Sequence, residues 1–589
     1  MAMNTPQSSS IRRSLRALGA LGLALAALAA AAGDAGAYVT PGQAEHAVDR
    51  GAGWFEGGQD EETGRLDSDW AMTALAAGGI NAADVRTSAL DPTAQDYYLG
   101  EWQTEGPGGA GTDAARGILS GVAGGIQTSR LSTAADATKS NLVARLAELW
   151  DGTQIGNAGL LNDDIFGVLA LHQAGAPPEM LRRVVDELRA SQLPGGGWSW
   201  SASPSAPADT DMTGAAVAAF CAAGVSPSDP DVAHALALLH SLQDPETGGF
   251  VAPPESFGIG VNADTTAWVA SGLIQCGIDP QGPEWTAAQN RTPFDYLVSL
   301  QRPDGHFDWT DEYSAFGGFE TYNAVRPLGG VAFSTAPPAR LDGVSPAVRP
   351  AAAVATGTTV PVTLVIDHGP GAGDVRMCRV DTETGSTLAE VLTDAEATAT
   401  PAGCVTEFTT DGDHLSSLNG VAETAEYGWS TQVDGAPSSG PIGFGDLVFA
   451  RFAATVPNPG PAPAVAVPAL KPGPEPKRRG PRVGIHGRAR RDGEAISVVL
   501  RCPRGSGEAG CRGTLAVQFR GRRGGPLLDG GSAPFEVGSG ERLALSVQAT
   551  TALREALASR PRVKLRITAA TRGEDGGVRL THARRFVSG

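Results

Sequence analysis

Lysine is nearly missing from the first 455 residues of this 589-residue chain, where Lys139 stands alone. A site that grips a diphosphate relies on Lys and Arg, so this scarcity, in a chain of net charge −19, argues against such a site and against nucleic acid as a partner. Aromatic residues are also sparse, at 6%. Several signatures are absent altogether. No Cys-Gly-Glu-Gln is present for an internal thioester, and there is no Gly-x-Ser-x-Gly elbow, His-Glu-x-x-His helix or phosphate loop. Cys221 and Cys276 lack a flanking Asp-x-Cys, and His172, His234, His240 and His306 are scattered, so no zinc site is expected. Beyond Ala32 no segment is long and apolar enough to span a bilayer.

What is present is a repeat. Gln192–Trp198, Gln243–Phe250 and Gln301–Phe307 are Gly-rich turns, each followed by an acidic residue that opens a small-residue apolar run. Asp69, Asp113, Asp164, Asp211, Asp264 and Glu320 mark six units at a period of roughly 45–55 residues, the length of one helical hairpin. Met180–Gln192, Asp231–Gln243 and Phe294–Gln301 carry apolar residues at helical spacing, as one-sided outer helices do. The runs after the acids are apolar nearly all round, as inner helices are, and the acids suit helix N-caps or first turns. Six such hairpins at 45–335 predict an α6/α6 toroid.

The ends read differently. Arg12, Arg13 and Arg16 precede the apolar run Ala17–Ala32, and Ala35-Gly36-Ala37 offers a cleavage site, so residues 1–37 read as an export signal, with twin-arginine export or a retained anchor as variants. Localisation is then secreted or cell-envelope. The six cysteines agree: they form the local couples Cys221/Cys276, Cys378/Cys404 and Cys502/Cys511, which in an oxidising compartment read as disulfides. For Cys221 and Cys276 two buried thiols remain the alternative. A small β-rich α+β domain is expected at 358–455, with strands at Val360–Asp367, Tyr427–Asp434 and Leu447–Phe452 and a short helix at Thr387–Thr393. A Pro-rich linker follows at 456–476. Residues 477–589, with a net charge of about +14 against about −33 for the remainder, read as a basic β-sandwich-like domain. Its face suits an anionic cell-wall polymer or membrane surface, or is merely solvated.

The turns "QDPETGGF" and "QRPDGHF" resemble the repeat of the prenyltransferase and squalene-cyclase toroids, a fold shared by thioester domains and vitamin B12 carriers. Farther on, "VTLVIDHG", "STLAEVL", "YGWSTQVDG" and "FGDLVFARF" resemble the β domain at the C-terminus of transcobalamin and intrinsic factor. That order of domains implies a non-enzymatic carrier binding a small molecule, a corrinoid such as cobalamin, between the toroid's open face and the β domain. By this resemblance Trp429 and Tyr427 stand nearest the ligand, with Trp429 as ordinary core the alternative. No cofactor or metal ligand is assigned.

The alternative is a toroid enzyme. Asp209-Thr210-Asp211-Met212-Thr213 is similar to the Asp-x-Asp-Asp-Thr acid motif of terpene cyclases, except that Met212 replaces the last Asp, and it implies Asp211 as proton donor. The pairs Asp209/Asp211 and Asp163/Asp164 would serve a glycan-acting enzyme as acid and base. The competing reading of all four is helix capping.

Overall fold

The computed structural model describes residues 39–56, 66, 69–86, 93–105, 111–131, 141–176, 178–254, 260–312, 318–341, 354–437, 440–471, 483–503, 510–520, 527–572 and 578–588. The expected export signal at 1–37 lies outside them.

Among the described residues, twelve α-helices alternate along 41–328. The odd ones, α1 (Pro41–Glu56), α3 (Ala94–Glu105), α5 (Leu142–Glu148), α7 (Pro178–Ala190), α9 (Pro230–Ser241) and α11 (Pro293–Ser299), lie outside. The even ones, α2 (Asp69–Ala77), α4 (Gly111–Ala123), α6 (Leu161–Gln173), α8 (Thr210–Ala222), α10 (Ala263–Gln275) and α12 (Phe319–Leu328), lie inside. Each inner helix packs on the next, and α12 returns to α2, so the ring closes. Composition explains the division. Helix α9 buries one stripe, Val232, Ala235 and Leu239, whereas α8 buries almost every residue from Thr213 onward.

The repeat motif is a set of hydrogen bonds. In each turn the Gln side chain donates to its own loop and to the next repeat: Gln192 to Gly196 and Asp231, Gln243 to Gly248 and Trp285. Gln301 donates to Gly305 and, at 2.7 Å, to the carbonyl of Ala47 in α1, which fastens the last repeat to the first. The N–H groups of Trp198, Phe250 and Phe307 each donate at 3.0 Å to Thr213, Thr266 and Thr321 in the first turn of the following inner helix. At the opposite end of the inner helices, residues 331–341 cross the ring. Ser334 Oγ donates to Leu119, Asn81 to the carbonyl of Pro338, and Arg340 pairs with Asp84, while Phe333 enters the interior.

Within the ring two short strands, β1 (Val251–Ala252) and β2 (Gly260–Val261), pair antiparallel. The β module has a five-stranded sheet, ordered β4 (Val375–Glu383), β3 (Thr359–Asp367), β10 (Leu447–Ala454), β8 (Tyr427–Val433), β9 (Ala436–Pro437), in which β3 and β10 run parallel, and a small sheet of β5 (Phe408–Asp411), β6 (His414–Leu418) and β7 (Val421–Ala422). A single turn, α13 (Gly369–Ala372), links β3 to β4, and α14 (Leu388–Thr398) follows, opened by a capping box between Thr387 and Glu390. Strand alternation divides the sheet into two faces. Val365, Met377 and Phe449 join the apolar cluster of the toroid, whereas Leu364, Ile366, Val448 and Phe452 pack with α14 and with the hairpins at 408–422. The module therefore docks by one sheet face on outer helices α5 and α7, at the side of the ring. Asn141 donates to Pro361, Arg379 pairs with Glu148, and Arg130 pairs with Asp446 at this junction. The Pro-rich stretch is no loose spacer over 456–471: Arg376 holds the carbonyls of Gly403 and Pro468, and Val465, Val467 and Leu470 pack on the module.

The third module is a sandwich with its own core. One sheet is β11 (Gly484–Asp492), β12 (Ala495–Arg501), β15 (Arg542–Gln548). The other is β14 (Leu527–Val537), β13 (Cys511–Arg520), β16 (Arg562–Arg572), β17 (Val578–Ser588), with α15 (Thr551–Ser559) between β15 and β16. Cys221–Cys276, Cys378–Cys404 and Cys502–Cys511 are disulfides, one per module, as an oxidising environment allows. Among the described residues no helix is long and apolar enough to cross a membrane.

Candidate acid site at the inner-helix N-termini

Three carboxyls occupy the second position of successive inner helices: Asp211 in α8, Asp264 in α10 and Glu320 in α12. The positive end of each helix favours a carboxylate there, but burial opposes charge, and here burial prevails. Burial, then the neighbouring charge of Asp209, pushes Asp211 up to about 7, with the Thr265 hydroxyl working the other way. Asp264 is pushed up to about 8 by burial, with help from Glu320 and Asp211 and against the Asn323 amide and Arg326. Burial raises Glu320 as well. Asp211 and Asp264 are themselves half-buried, unlike most of the residues that follow them in their helices. Asp211 Oδ1 is nevertheless buried and has no hydrogen-bond partner among the described residues.

The counter-charge lies one helical turn and more below. Asn323 donates to Asp264 Oδ1 at 3.0 Å and accepts from Arg326, whose guanidinium is fully buried. Burial pulls Arg326 down to about 9 with Asp264 opposing, so it stays cationic at neutral pH. Against one buried cation stand three carboxyls. Full ionisation would leave excess negative charge in a poorly hydrated space, so at least one proton is retained near neutrality. Below the acids the walls are aromatic. Trp268, four residues after Asp264 and on the same face of α10, lies 5.5 Å from Phe166 and 5.8 Å from Phe333. Arg326 is sandwiched by Trp70 at 4.7 Å and Phe333 at 5.4 Å.

The other residues singled out by sequence fall elsewhere. Asp209 is the N-cap of α8 and accepts from Met212 N at 3.0 Å. Asp163 accepts from the N–H groups of Thr112 and Asn157, and Asp164 from that of Ile155, so both tie loops to α6; burial raises Asp164 well above the usual range. Trp429 and Tyr427 lie in the core of the β module, donating to the carbonyls of Val421 and Gly460. They share the sheet face of Phe452, turned away from the toroid, which corrects their expected position between the two modules. No cluster of metal-ligating groups occurs among the described residues. Sequence reasoning used Asp264 and Glu320 only as repeat markers and passed over Asn323, Arg326 and Trp268. Their signal was the spacing of three to six residues from each helix-opening acid.

No protein-family model matches the chain, and no curated protein does. Among solved structures, it is similar to the type II terpene cyclase MstE from Scytonema, at 16% identity over 49% of this chain and 98% of that one, with a TM-score of 0.32. An ent-copalyl diphosphate synthase from Streptomyces platensis gives 16% identity, 49% and 50% coverage and a TM-score of 0.27. A protein from Actinoplanes gives 16%, 49%, 99% and 0.31. These likenesses are too low to carry fold or function, and the ring rests on the chain's own helix contacts.

Proposed function

We propose that the toroid is an enzyme site that works by proton transfer from Asp211 to an apolar, unsaturated substrate of the isoprenoid class. The observation that carries this reading is the half-buried Asp211 carboxyl, whose Oδ1 has no hydrogen-bond partner among the described residues, at the start of an inner helix in a ring whose interior holds Phe166 and Trp268. A donor near 7 is loaded at neutral pH yet able to give its proton up. In the proposed step the alkene π pair takes the Asp211 proton into a new C–H bond, leaving a carbocation and a carboxylate. The proposal assigns stabilisation of that cation to Phe166 and Trp268, because Arg326 already stacks on Trp70 and Phe333. Return of a proton from the cation to Asp211 closes the cycle.

The motif similarity at Asp209–Thr213 supports the same donor, although Met212 departs from it. The carrier reading has less support, because the β module docks beside the ring and Trp429 lies in its core. The hydrolase pairs lose support because Asp209 and Asp163 are committed to backbone N–H groups. The test is product analysis after incubation with squalene and with linear C15 to C30 polyprenyl alcohols. Wild-type protein is expected to form cyclised or isomerised products, and Asp211→Asn to lose about 10²-fold or more in rate. No conversion of any polyprenyl by wild-type protein, or full activity in Asp211→Asn, would remove the proposal.

A further inference from the structure

The C-terminal sandwich carries the chain's reversed charge, and strand alternation lines part of that charge up along one face of its larger sheet. Along β16 the residues alternate: Val563, Leu565, Ile567 and Ala569 are buried, while Arg562 and Lys564 are exposed and Arg566 half-buried on the opposite face. At a strand rise of about 3.3 Å per residue, these three cations stand about 6.6 Å apart in a row. The flanking strands continue the pattern. Phe586 of β17, in register with Lys564, supports the Arg562 guanidinium from 4.6 Å. On β13, Arg512 is exposed at the far side of the same face, where it pairs with Glu536 of β14 at 2.8 Å. The smaller sheet repeats the theme, with exposed Arg501 directly opposite exposed Arg542. Like charges placed opposite each other across a ladder are unfavourable unless an anion lies near them.

We infer that the outer face of the sheet β14-β13-β16-β17 is a docking surface for a linear phosphodiester polymer. A row of cations spaced two residues apart along one strand matches an extended chain of regularly spaced phosphates. It does not match a bilayer as well, because membrane-surface binders bury apolar side chains among the acyl chains. Among the described residues of this sheet the one exposed large apolar side chain is Leu528 of β14, and its register with buried Phe519 puts it on the opposite face. The surface belongs to a module with its own core and disulfide, so the inference stands apart from the chemistry proposed for the toroid. Such a module would hold the exported protein on an anionic wall polymer.

The experiment uses the full chain and a labelled poly(glycerol phosphate), followed by fluorescence anisotropy at several salt concentrations. Wild-type protein is expected to bind with a steep salt dependence. The triple variant Arg562→Gln, Lys564→Gln, Arg566→Gln should bind at least 10-fold more weakly, with its log–log salt slope reduced by about 2, from counterion release at three lost contacts. Arg554→Gln, on α15 and paired with Glu494, should bind as wild type does. Circular dichroism of the triple variant keeps the result interpretable, since all three side chains lie outside the core. Unchanged binding by the folded triple variant overturns the inference. So does equal binding to poly-glutamate, which removes the phosphate requirement, or capture by phosphatidylglycerol vesicles without binding to the polymer.

Discussion

At the scale of single residues, the toroid's chemistry depends on where protons sit. Unfolded, Asp211 and Asp264 titrate near 4. Folded, they are pushed to about 7 and about 8, so the native state holds protons that the unfolded state has released. Stability therefore falls as pH rises from about 4 to about 8, because the native state binds more protons throughout that window. Asp229, Asp304 and Asp374, held below the usual range by partners such as Arg189 and His368, act in the opposite sense, and the stability they add is lost as pH falls below about 4. Comparing Asp264→Asn with wild type isolates the first effect, since Asn can still accept the bond from Asn323. We expect equal melting temperatures near pH 4 and a gain of about 2–4 °C for the variant at pH 8, measured by scanning calorimetry. Identical melting curves at both pH values would show that Asp264 does not hold its proton. The acids themselves were legible, because a carboxyl at a helix start has a local signature. Their raised hold on protons was not, because it arises from burial as α12 closes on α2 and from repulsion between carboxyls on different helices, with Asn323 and Arg326 opposing it, and no local pattern contains those contacts.

At the scale of elements, the spacing between the acids is set by how closely α8 and α10 approach. Gly214 and Gly272 face each other at that crossing: a Cβ on Gly272 would lie 2.3 Å from the carbonyl oxygen of Gly214. That atom is backbone and cannot swing aside, so the helices would have to part. The Cys221–Cys276 disulfide fastens the same pair of helices near their C-terminal ends, and it removes conformations from the unfolded chain over a separation of 55 residues. We therefore expect Gly272→Ala to destabilise the toroid by about 1–3 kcal/mol and to lower any Asp211-dependent rate by moving α8 from α10. Gly53, on the exposed side of α1 with open space where its Cβ would be, supplies the contrast. Gly53→Ala should be neutral or stabilising by up to about 1 kcal/mol, because Ala restricts the unfolded chain and suits a helix interior. Chemical denaturation of both variants checks the pair, and a harmless Gly272→Ala would mean that the helices have slack. The hairpins, their caps and the Gly-rich turns could all be read from sequence. The approach of two glycines 58 residues apart could not, since a small residue in a small-residue helix looks the same whether or not a partner touches it.

At the scale of the whole molecule, one sheet serves two cores. The near-continuous apolar runs of "TVPVTLVID" and "LVFARFAA" mark strands buried on both faces. They do not reveal which face meets which partner, and that gap is why Trp429 could be read as a ligand contact. In the structure Met377 faces the toroid, and Trp429 faces the module's own helix and hairpins. Substitutions on the two faces should therefore fail differently. Met377→Asp places a charge in the junction between β module and ring, so it should uncouple them: one calorimetric transition shared by toroid and β module becomes two, each near its intrinsic midpoint. Trp429→Ala removes a large core side chain and leaves the docking face intact, so it should cost the β module about 3–5 kcal/mol. Neither change should move the transition of the C-terminal sandwich, whose core shares no side chain with the others. A Trp429→Ala protein that melts like wild type would overturn this assignment of faces, because only a residue outside the core can be truncated so far at no cost. It would also return the aromatic strand to consideration as a binding surface.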